Sequence, residues 1–337
     1  MYSTYNTNSK RNITLYDNIF YFNNSLVLET YIVGYKSQGE SVVFFVRADG
    51  IIRFSGLVDC YKLSDYDIVQ ELLNEKKVEN LNFLCWTHPD NDHSKGLSEI
   101  IKNYVNERTY IWIPEGVDAQ EIECSSDVKK LFEELKESVI TLYDERNVYS
   151  TSDIKNLMGY SSVCFQKGCK EFPLNITAYA PNSKVIRKQI YLDRFIKNDR
   201  SIFIEVSLGD AALLLSGDIE NGTINMIPKR YFNKNIHILK IPHHGSDSST
   251  DFLELGWDFC DVACSTVYRN GRCNLPLDAV MNQYKNRTSY LYCTGKYKPL
   301  DENEKYGVLQ ITTDIINNTY DTAIYGNADI WNAYEVV

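Results

Sequence analysis

Long apolar runs are what this chain most clearly lacks. None approaches the roughly 20 residues that cross a bilayer, and the opening stretch Met1 to Arg11 is polar, without the apolar core of a secretory signal. A cytoplasmic location is the expectation. Paired cysteine motifs are missing too. The nine cysteines show no CxxC pair, and several (Cys85, Cys164, Cys264, Cys293) fall within apolar, strand-like runs. Reduced core thiols fit that pattern, and a disulfide framework does not suit a chain of this size. Cys164 and Cys169 lack the second pair that a zinc knuckle needs. Positive charge is short as well: 35 Lys and Arg against 45 Asp and Glu give a net charge of −10. That argues against a surface built to coat nucleic acid broadly and leaves room for a local basic groove. Neither a linker nor a short-period repeat interrupts the 337 residues, 44% of them hydrophobic, so one domain over 1–337 with a frayed 1–12 is expected.

Histidine is scarce, and its placement is informative. Four of the five histidines lie in two tight clusters, His88/His93 and His243/His244; His237 stands alone in an apolar run and reads as a core or surface residue of a strand. The first cluster is His88-Pro89-Asp90-Asn91-Asp92-His93. It follows Leu81–Trp86, an uncharged, aromatic-containing run that reads as a buried strand. A helix is expected to begin near Ser94 or Gly96, because Leu97, Ile100, Ile101 and Tyr104 fall at helical spacing. A loop between a strand end and a helix can aim several side chains at one point. These two His and two Asp can supply ligands to two adjacent cations.

The same event recurs along the chain. Strand-like segments at 19–21, 26–33, 41–46 and 51–58 are separated by turns, and the last ends in Asp59. An amphipathic helix is expected over 64–77. Further strands are expected at 110–113, 139–142, 162–165 and 175–179, with a helix over 126–138. Ser201–Ser207 and Ala211–Leu215 read as a hairpin whose second arm ends in Ser216-Gly217-Asp218, where the glycine permits close backbone approach. Ile236–Ile241 then ends in Pro242-His243-His244-Gly245-Ser246. Strands at 262–267, 289–293, 307–312 and 321–325 and a helix near 277–285 complete the pattern. Residues 182–200 carry six Lys or Arg against two Asp. They read either as a solvated helix face or mobile loop or as a phosphate-facing flap, with Arg187, Lys188, Arg200 and Ser246 as substrate-binding candidates.

A dinuclear hydrolytic site needs two cations about 3.5–4 Å apart, usually a bridging carboxylate, and a bridging water or hydroxide. His88, Asp90, Asp92, His93, Asp218 and one of His243/His244 would suffice, delivered from three strand ends.

The same residues carry a resemblance. His88-Pro-Asp90-Asn-Asp92-His93 with Ser94-Lys-Gly96-Leu97 resembles the metal-binding signature of the metallo-β-lactamase fold, usually written HxHxDH. Val58-Asp59-Cys60 resembles that family's first motif, Leu214-Leu-Ser-Gly217-Asp218 the motif of the bridging Asp, and Leu239-Lys-Ile-Pro-His243-His244-Gly245-Ser246 its last metal motif. The four occur in order, and the resemblance covers about residue 25 to 325. Within the superfamily the chain is most similar to the soluble hydrolase domain of competence DNA-uptake channel proteins and their stand-alone relatives, on Asp90 in the second ligand position, Asn198-Asp-Arg-Ser201 before the late hairpin and the His-His-Gly-Ser turn. The resemblance implies an α/β four-layer αββα sandwich of two mixed sheets with helices outside, and phosphodiester hydrolysis with two divalent ions (Mn, Zn or Mg). By resemblance, one ion is held by His88, Asp90 and Asp218, and the other by Asp92, His93, His243 and Asp218; the assignment with His244 as ligand stays open. Asp59, Asn198 and Ser201 would support the site.

Two departures matter. No His lies between 93 and 237, so a ligand common in the family is missing. The oxygen-rich first site then favours Mn or Mg and is expected to be weak, filling mainly with substrate present. A late His-Pro is replaced by Asn274-Leu275-Pro276, which leaves Lys95, His244 or a metal-bound water as the general acid. The expected activity is a stand-alone phosphodiesterase or nuclease on a nucleic acid or nucleotide, a candidate phage-defence effector with a protein partner in a multi-component system. A lactone, thioester or amide hydrolase of the same fold and a non-catalytic regulatory module with a decayed site are the alternatives.

Overall fold

The computed structural model describes residues 18–64, 67–116, 124–140, 147–156, 163–192, 194–232, 236–271, 273–295 and 305–331. The expected fraying of 1–12 lies outside them. Among the described residues two large mixed sheets form. The first runs, edge to edge, Thr319–Gly326, Tyr306–Asp314, Leu26–Tyr35, Glu40–Ala48, Ile51–Val58, Phe83–Cys85, Tyr110–Pro114 and Asn147–Thr151. Pairing is antiparallel up to Ile51–Val58 and parallel from there on. The second runs Asn18–Tyr21, Val163–Lys167, Lys170–Ala180, Phe203–Leu208, Ala211–Leu215, Ile236–Lys240, Cys260–Ser265, Thr288–Cys293 and Asp329–Ile330, with Lys155–Asn156 also on Lys170–Ala180. Here too an antiparallel stretch gives way to parallel pairing, at Ala211–Leu215.

Alternation along the strands decides which face each residue takes. Phe83 and Cys85, Val42, Phe44 and Val46 from the first sheet meet Ile204, Val206, Leu213, Leu215 and Ile238 from the second in one core between the sheets. Their neighbours Leu84, Trp86, Val43 and Phe45 face outward, against helices Ile68–Glu75, Leu97–Tyr104 and Ser126–Ile140. Leu214, Leu239 and Ala263 likewise face outward, under Val280, Met281 and Tyr284 of the helix Asp278–Lys285. The layers are therefore αββα, as expected, and burial on both faces explains why these strands read as unbroken apolar runs.

Two local readings differ, and one left open, the helix face within 182–200, is borne out. Val139–Leu142 is not a strand where described: the preceding helix runs on through Ile140, and 141–142 lie outside the described residues. Its short Ser-Val-Ile segment suits either state, and the helix already built over 126–138 continues through it. Residues 183–191 form a helix capped by Asn182, whose side chain accepts from the Lys184 N–H. Tyr268–Asn270 and Cys273–Leu275 form a small hairpin that the alternation did not announce. No helix among the described residues is long and apolar enough to cross a membrane.

Candidate metal centre

The site forms because corresponding strands of the two sheets end level. Val58 pairs with Cys85 and Leu215 with Lys240, each where the central antiparallel run of its sheet gives way to parallel pairing. Loops following parallel strands gather at their carboxyl ends, the usual place for ligands in such sheets.

In the first sheet, Asp59 takes a left-handed conformation (φ 55) and donates its N–H to the Cys85 carbonyl at 2.8 Å. Its carboxylate accepts from the Thr87 N–H (2.7 Å), Thr87 Oγ1 (2.6 Å) and His93 Nδ1 (2.7 Å). The Trp86 indole donates to Ser94 Oγ, which donates to the Asp90 carbonyl at 2.6 Å, so the 87–94 loop is folded back on its own strand. In the second sheet Gly217 has φ 51, and a Cβ there would lie 2.4 Å from Ser201 Oγ and 3.2 Å from the Thr87 Cβ. Only glycine fits between the two loops. Asp218 donates its N–H to Ser201 Oγ at 2.9 Å. His243 and His244 are consecutive left-handed residues (φ 47 and 52), a conformation that costs about 1–3 kcal/mol per non-glycine residue and concentrates at functional sites. The His243 N–H to the Gly217 carbonyl (3.0 Å) ties this turn to the Asp218 loop.

Hydrogen bonds fix the ring tautomers. Asp59 accepts from His93 Nδ1, so Nδ1 carries the proton. Thr87 Oγ1 spends its proton on Asp59 and can only accept from His88 Nδ1 at 3.0 Å. Thr266 Oγ1 spends its own on Glu40 (2.5 Å) and accepts from His244 Nδ1 at 2.8 Å. Carboxylates thus turn three Nε2 lone pairs to the same side, the arrangement that orients metal-binding imidazoles. Asp218 Oδ2 lies 3.8, 3.4 and 3.5 Å from Nε2 of His88, His93 and His244, and 3.9 Å from that of His243. Asp92 Oδ2 lies 3.6 Å from His93 Nε2 and 3.2 Å from His244 Nε2; Asp90 Oδ2 lies 3.5 Å from His88 Nε2.

These donors fit divalent cations. His88 Nε2, His93 Nε2 and Asp218 Oδ1 are buried with no hydrogen-bond partner among the described residues, an arrangement that is costly unless something else satisfies it. Asp92, His93, His244 and Asp218 would form one donor set, and His88, Asp90 and Asp218 the other. Glu40, His93, Asp218 and His244 also cluster closely enough to hold an ion, but Glu40 faces the wrong edge of the rings. It lies 3.6 Å from His93 Nδ1 and 3.3 Å from His244 Nδ1, and it is already matched by Lys240 Nζ (2.6 Å) and Thr266. Glu40 therefore supports the rings from behind.

The field is strong. Burial would raise Asp218, but His244, His93 and His243 hold it well below the ordinary carboxylate range. Burial likewise opposes Asp92, which His93 and His244 hold low, and Asp90, which His88 and Lys197 hold well down. Burial would lower His93 and His244; Asp218 and Glu40 outweigh it, raising His93 well and pushing His244 up to about 9. The carboxylates thus favour the charged form of both His93 and His244 in the metal-free protein. Uptake of a divalent ion at pH 7 is expected to release roughly two protons. Titration calorimetry in buffers of different ionisation enthalpy checks this, and a count near zero would contradict it. Without metal, the raised His244 contributes stability that is full below 6.5 and lost as pH rises through about 9, while Asp218 and Asp92 contribute stability that is full above 3.8 and lost as pH falls.

The structure separates the two histidines of the turn. His244 is buried and meets Asp92; His243 is 21% exposed, with Nδ1 2.9 Å from Ser248 Oγ and 3.5 Å from Glu220 Oε1, and burial lowers its pKa. His244 therefore takes the place beside Asp92 that the resemblance gave to His243. Lys95, read as a proton donor, instead lies over the Tyr61 ring at 5.4 Å, on the outer face of the first sheet. Arg200, read as a substrate cation, is buried, donating to the Glu115 carbonyl at 2.9 Å and lying over Phe195 at 4.5 Å. Ser246 is buried beside Ser248. Asn198 reaches Glu220 at 3.0 Å and faces His243 Nε2 at 3.5 Å. Arg187 and Lys188 are exposed on helix Ser183–Tyr191, which is joined to the 198–200 turn through Gln189 and Asp199. His237 accepts from the Ala212 N–H within its sheet. Glu40, Lys240, Thr266, Lys197 and Tyr268, whose ring lies 5.3 Å from that of His244, were not assigned from sequence.

No family model and no curated protein matches this chain. Solved structures similar to it include a diphosphatase from the PhnP family, at 13% identity over 78% of this chain and 94% of that one, with a TM-score of 0.34. The metallo-β-lactamase SMB-1 bound to 2-mercaptoethanesulfonate is 11% identical over 72% of this chain and 78% of that one (TM-score 0.33). MEM-A1, a subclass B3 metallo-β-lactamase from a soil metagenome library, is 12% identical over 69% and 75% (TM-score 0.32).

Proposed function

We propose that the chain is a metal-dependent hydrolase acting on phosphodiester bonds of a nucleic acid or nucleotide. The observation that carries the metal reading is the convergence of three tautomer-locked Nε2 atoms and Asp92 on the Asp218 carboxylate, with buried polar atoms left open. Bound there, divalent cations supply positive charge for phosphoryl oxygens and acidity for water. The chain's own groups do the rest. Asp59 and Glu40 hold the imidazoles in one tautomer. Asp218, set by Ser201, is shared by both donor sets. His243, 21% exposed beside Glu220 and Ser248, is placed to give or take a proton at the rim. Lys197 puts positive charge at the site, and Arg187 and Lys188 lie exposed on the helix joined to its turn, which favours an anionic substrate. The sequence resemblance to the hydrolase domain of competence DNA-uptake proteins supports a phosphodiester over a lactone or an amide.

Hydrolysis of bis-p-nitrophenyl phosphate with Mn, Mg, Zn or no added metal tests the reading. Turnover is expected only with metal and is expected to be lost in Asp92→Ala. A folded protein that binds metal and turns over lactone or thioester esters, but no phosphodiester, would overturn the substrate class.

A further inference from the structure

The two donor sets are not equally free. In the set of Asp92, His93, His244 and Asp218, Asp92 meets the two imidazoles and is paired with no Lys or Arg among the described residues; Nε2 of His93 is left open, as is that of His88 in the other set. In the set of His88, Asp90 and Asp218, Asp90 is already engaged: Lys197 Nζ lies 2.7 Å from its Oδ1, with the two side chains 28% and 32% exposed. His243, the nearest further imidazole, faces Asn198 Nδ2 at 3.5 Å and Glu220. The Lys197–Asp90 and Asn198–His243 contacts come from one segment, at the start of the 198–200 turn that leads into Ser201.

Resting on the metal-dependent reading above, we propose that Lys197 is a tethered cation that occupies Asp90 in place of a second divalent ion, so that the substrate-free protein holds one divalent ion tightly and not two. Charge counting agrees. The carboxylates on the Nε2 side of the rings are Asp90, Asp92 and Asp218, three negative charges. One divalent ion and the Lys197 ammonium balance them, at +3 against −3. A second divalent ion would leave that side at +2 with Lys197 in place, beside Lys240, which is matched by Glu40 at 2.6 Å and itself lies 3.7 Å from Asp218 Oδ1. A second ion therefore enters easily only when an anion accompanies it or when the ammonium is gone. The ammonium does not ligate; it sets how many ions the site takes.

Divalent manganese bound per chain, measured by equilibrium dialysis, tests this on the wild type and on Lys197→Met, Lys197→Arg and Asp92→Asn. The wild type is expected to hold one ion tightly. Lys197→Met should bind a second ion on the order of tenfold more tightly than the wild type does, the scale on which surrounding groups tune a metal site. Lys197→Arg, which keeps the charge, should retain the wild-type count. Asp92→Asn should lose the tight ion. Two ions of similar affinity in the wild type would overturn the proposal, as would a second constant in Lys197→Met within about twofold of the wild-type value. A wild type that binds no ion would overturn the metal reading together with it. One tight ion without phosphodiester turnover would keep this proposal and sink only the substrate class.

Discussion

Asp218→Asn is expected to lower phosphodiester turnover by about a thousandfold or more and to abolish tight binding of divalent ions. Asparagine keeps the shape and the N–H to Ser201 Oγ, so the loop should hold. What it removes is, among the described residues, the one carboxylate whose oxygen stands within 3.9 Å of all four clustered Nε2 atoms. Metal-ion stabilisation of a transition state is worth several kcal/mol, and each 1.36 kcal/mol is tenfold in rate. Losing about 4 kcal/mol gives the factor stated. The variant should also lose the field that holds its neighbours. Asp218 is the largest cause raising both His93 and His244, so both rings should titrate nearer their ordinary value of 6.5. Metal analysis, bis-p-nitrophenyl phosphate kinetics and imidazole titration by NMR report these separately. A folded variant that keeps its metal and a tenth of its rate would show that Asp218 does not bridge the donor sets.

The outline of the candidate site was legible because each of its three clusters begins two or three residues past an apolar run. Cys85 to His88, Leu215 to Asp218 and Ile241 to His243 are strand-end events, and a strand buried on both faces announces its end sharply. The supporting layer was not legible. Glu40 follows Ser37-Gln38-Gly39 and reads as a turn residue; its burial depends on Lys240 and Thr266, some 200 residues further along. Lys240 sits within Ile238-Leu239-Lys240-Ile241, where a lysine reads as the solvated face of a strand. Only the closure of one sheet over the other makes that position interior. Lys197 and Arg200 belong to the same basic stretch and look equivalent in sequence, yet one reaches Asp90 and the other is buried over Phe195. Side-chain direction over a turn of three residues has no periodic signature. The order of His243 and His244 was hidden for a related reason: two successive left-handed residues obey neither the helical nor the strand period that a sequence reading relies on.

Lys240→Met is expected to destabilise the protein by about 3–5 kcal/mol, the cost of leaving a buried carboxylate without its partner. Glu40 and Lys240 are 3% and 1% exposed and 2.6 Å apart. Burial opposes the charge on each, and the partner outweighs it: Lys240 and the two histidines hold Glu40 low, and Glu40 and Asp218 hold Lys240 high. The pair itself need not stabilise the fold, because a buried ion pair often breaks even against apolar side chains of similar volume. The double variant Glu40→Leu with Lys240→Met should therefore recover most of the loss. The size of the loss should also depend on metal. In the metal-free protein, the surrounding carboxylates favour protonation of His93 and His244, which lie 3.6 and 3.3 Å from Glu40, so they offset part of the unpaired charge. Metal uptake removes those protons, and Glu40 then faces neutral rings. Added divalent ion should consequently raise the stability of Lys240→Met less than it raises that of the wild type. Denaturant unfolding of the four proteins of the cycle, with and without metal, measures both effects. A double variant as unstable as the sum of its singles would show that the two residues act separately, and an equal gain from metal in all four would show that Glu40 does not sense the protons of the histidines in front of it.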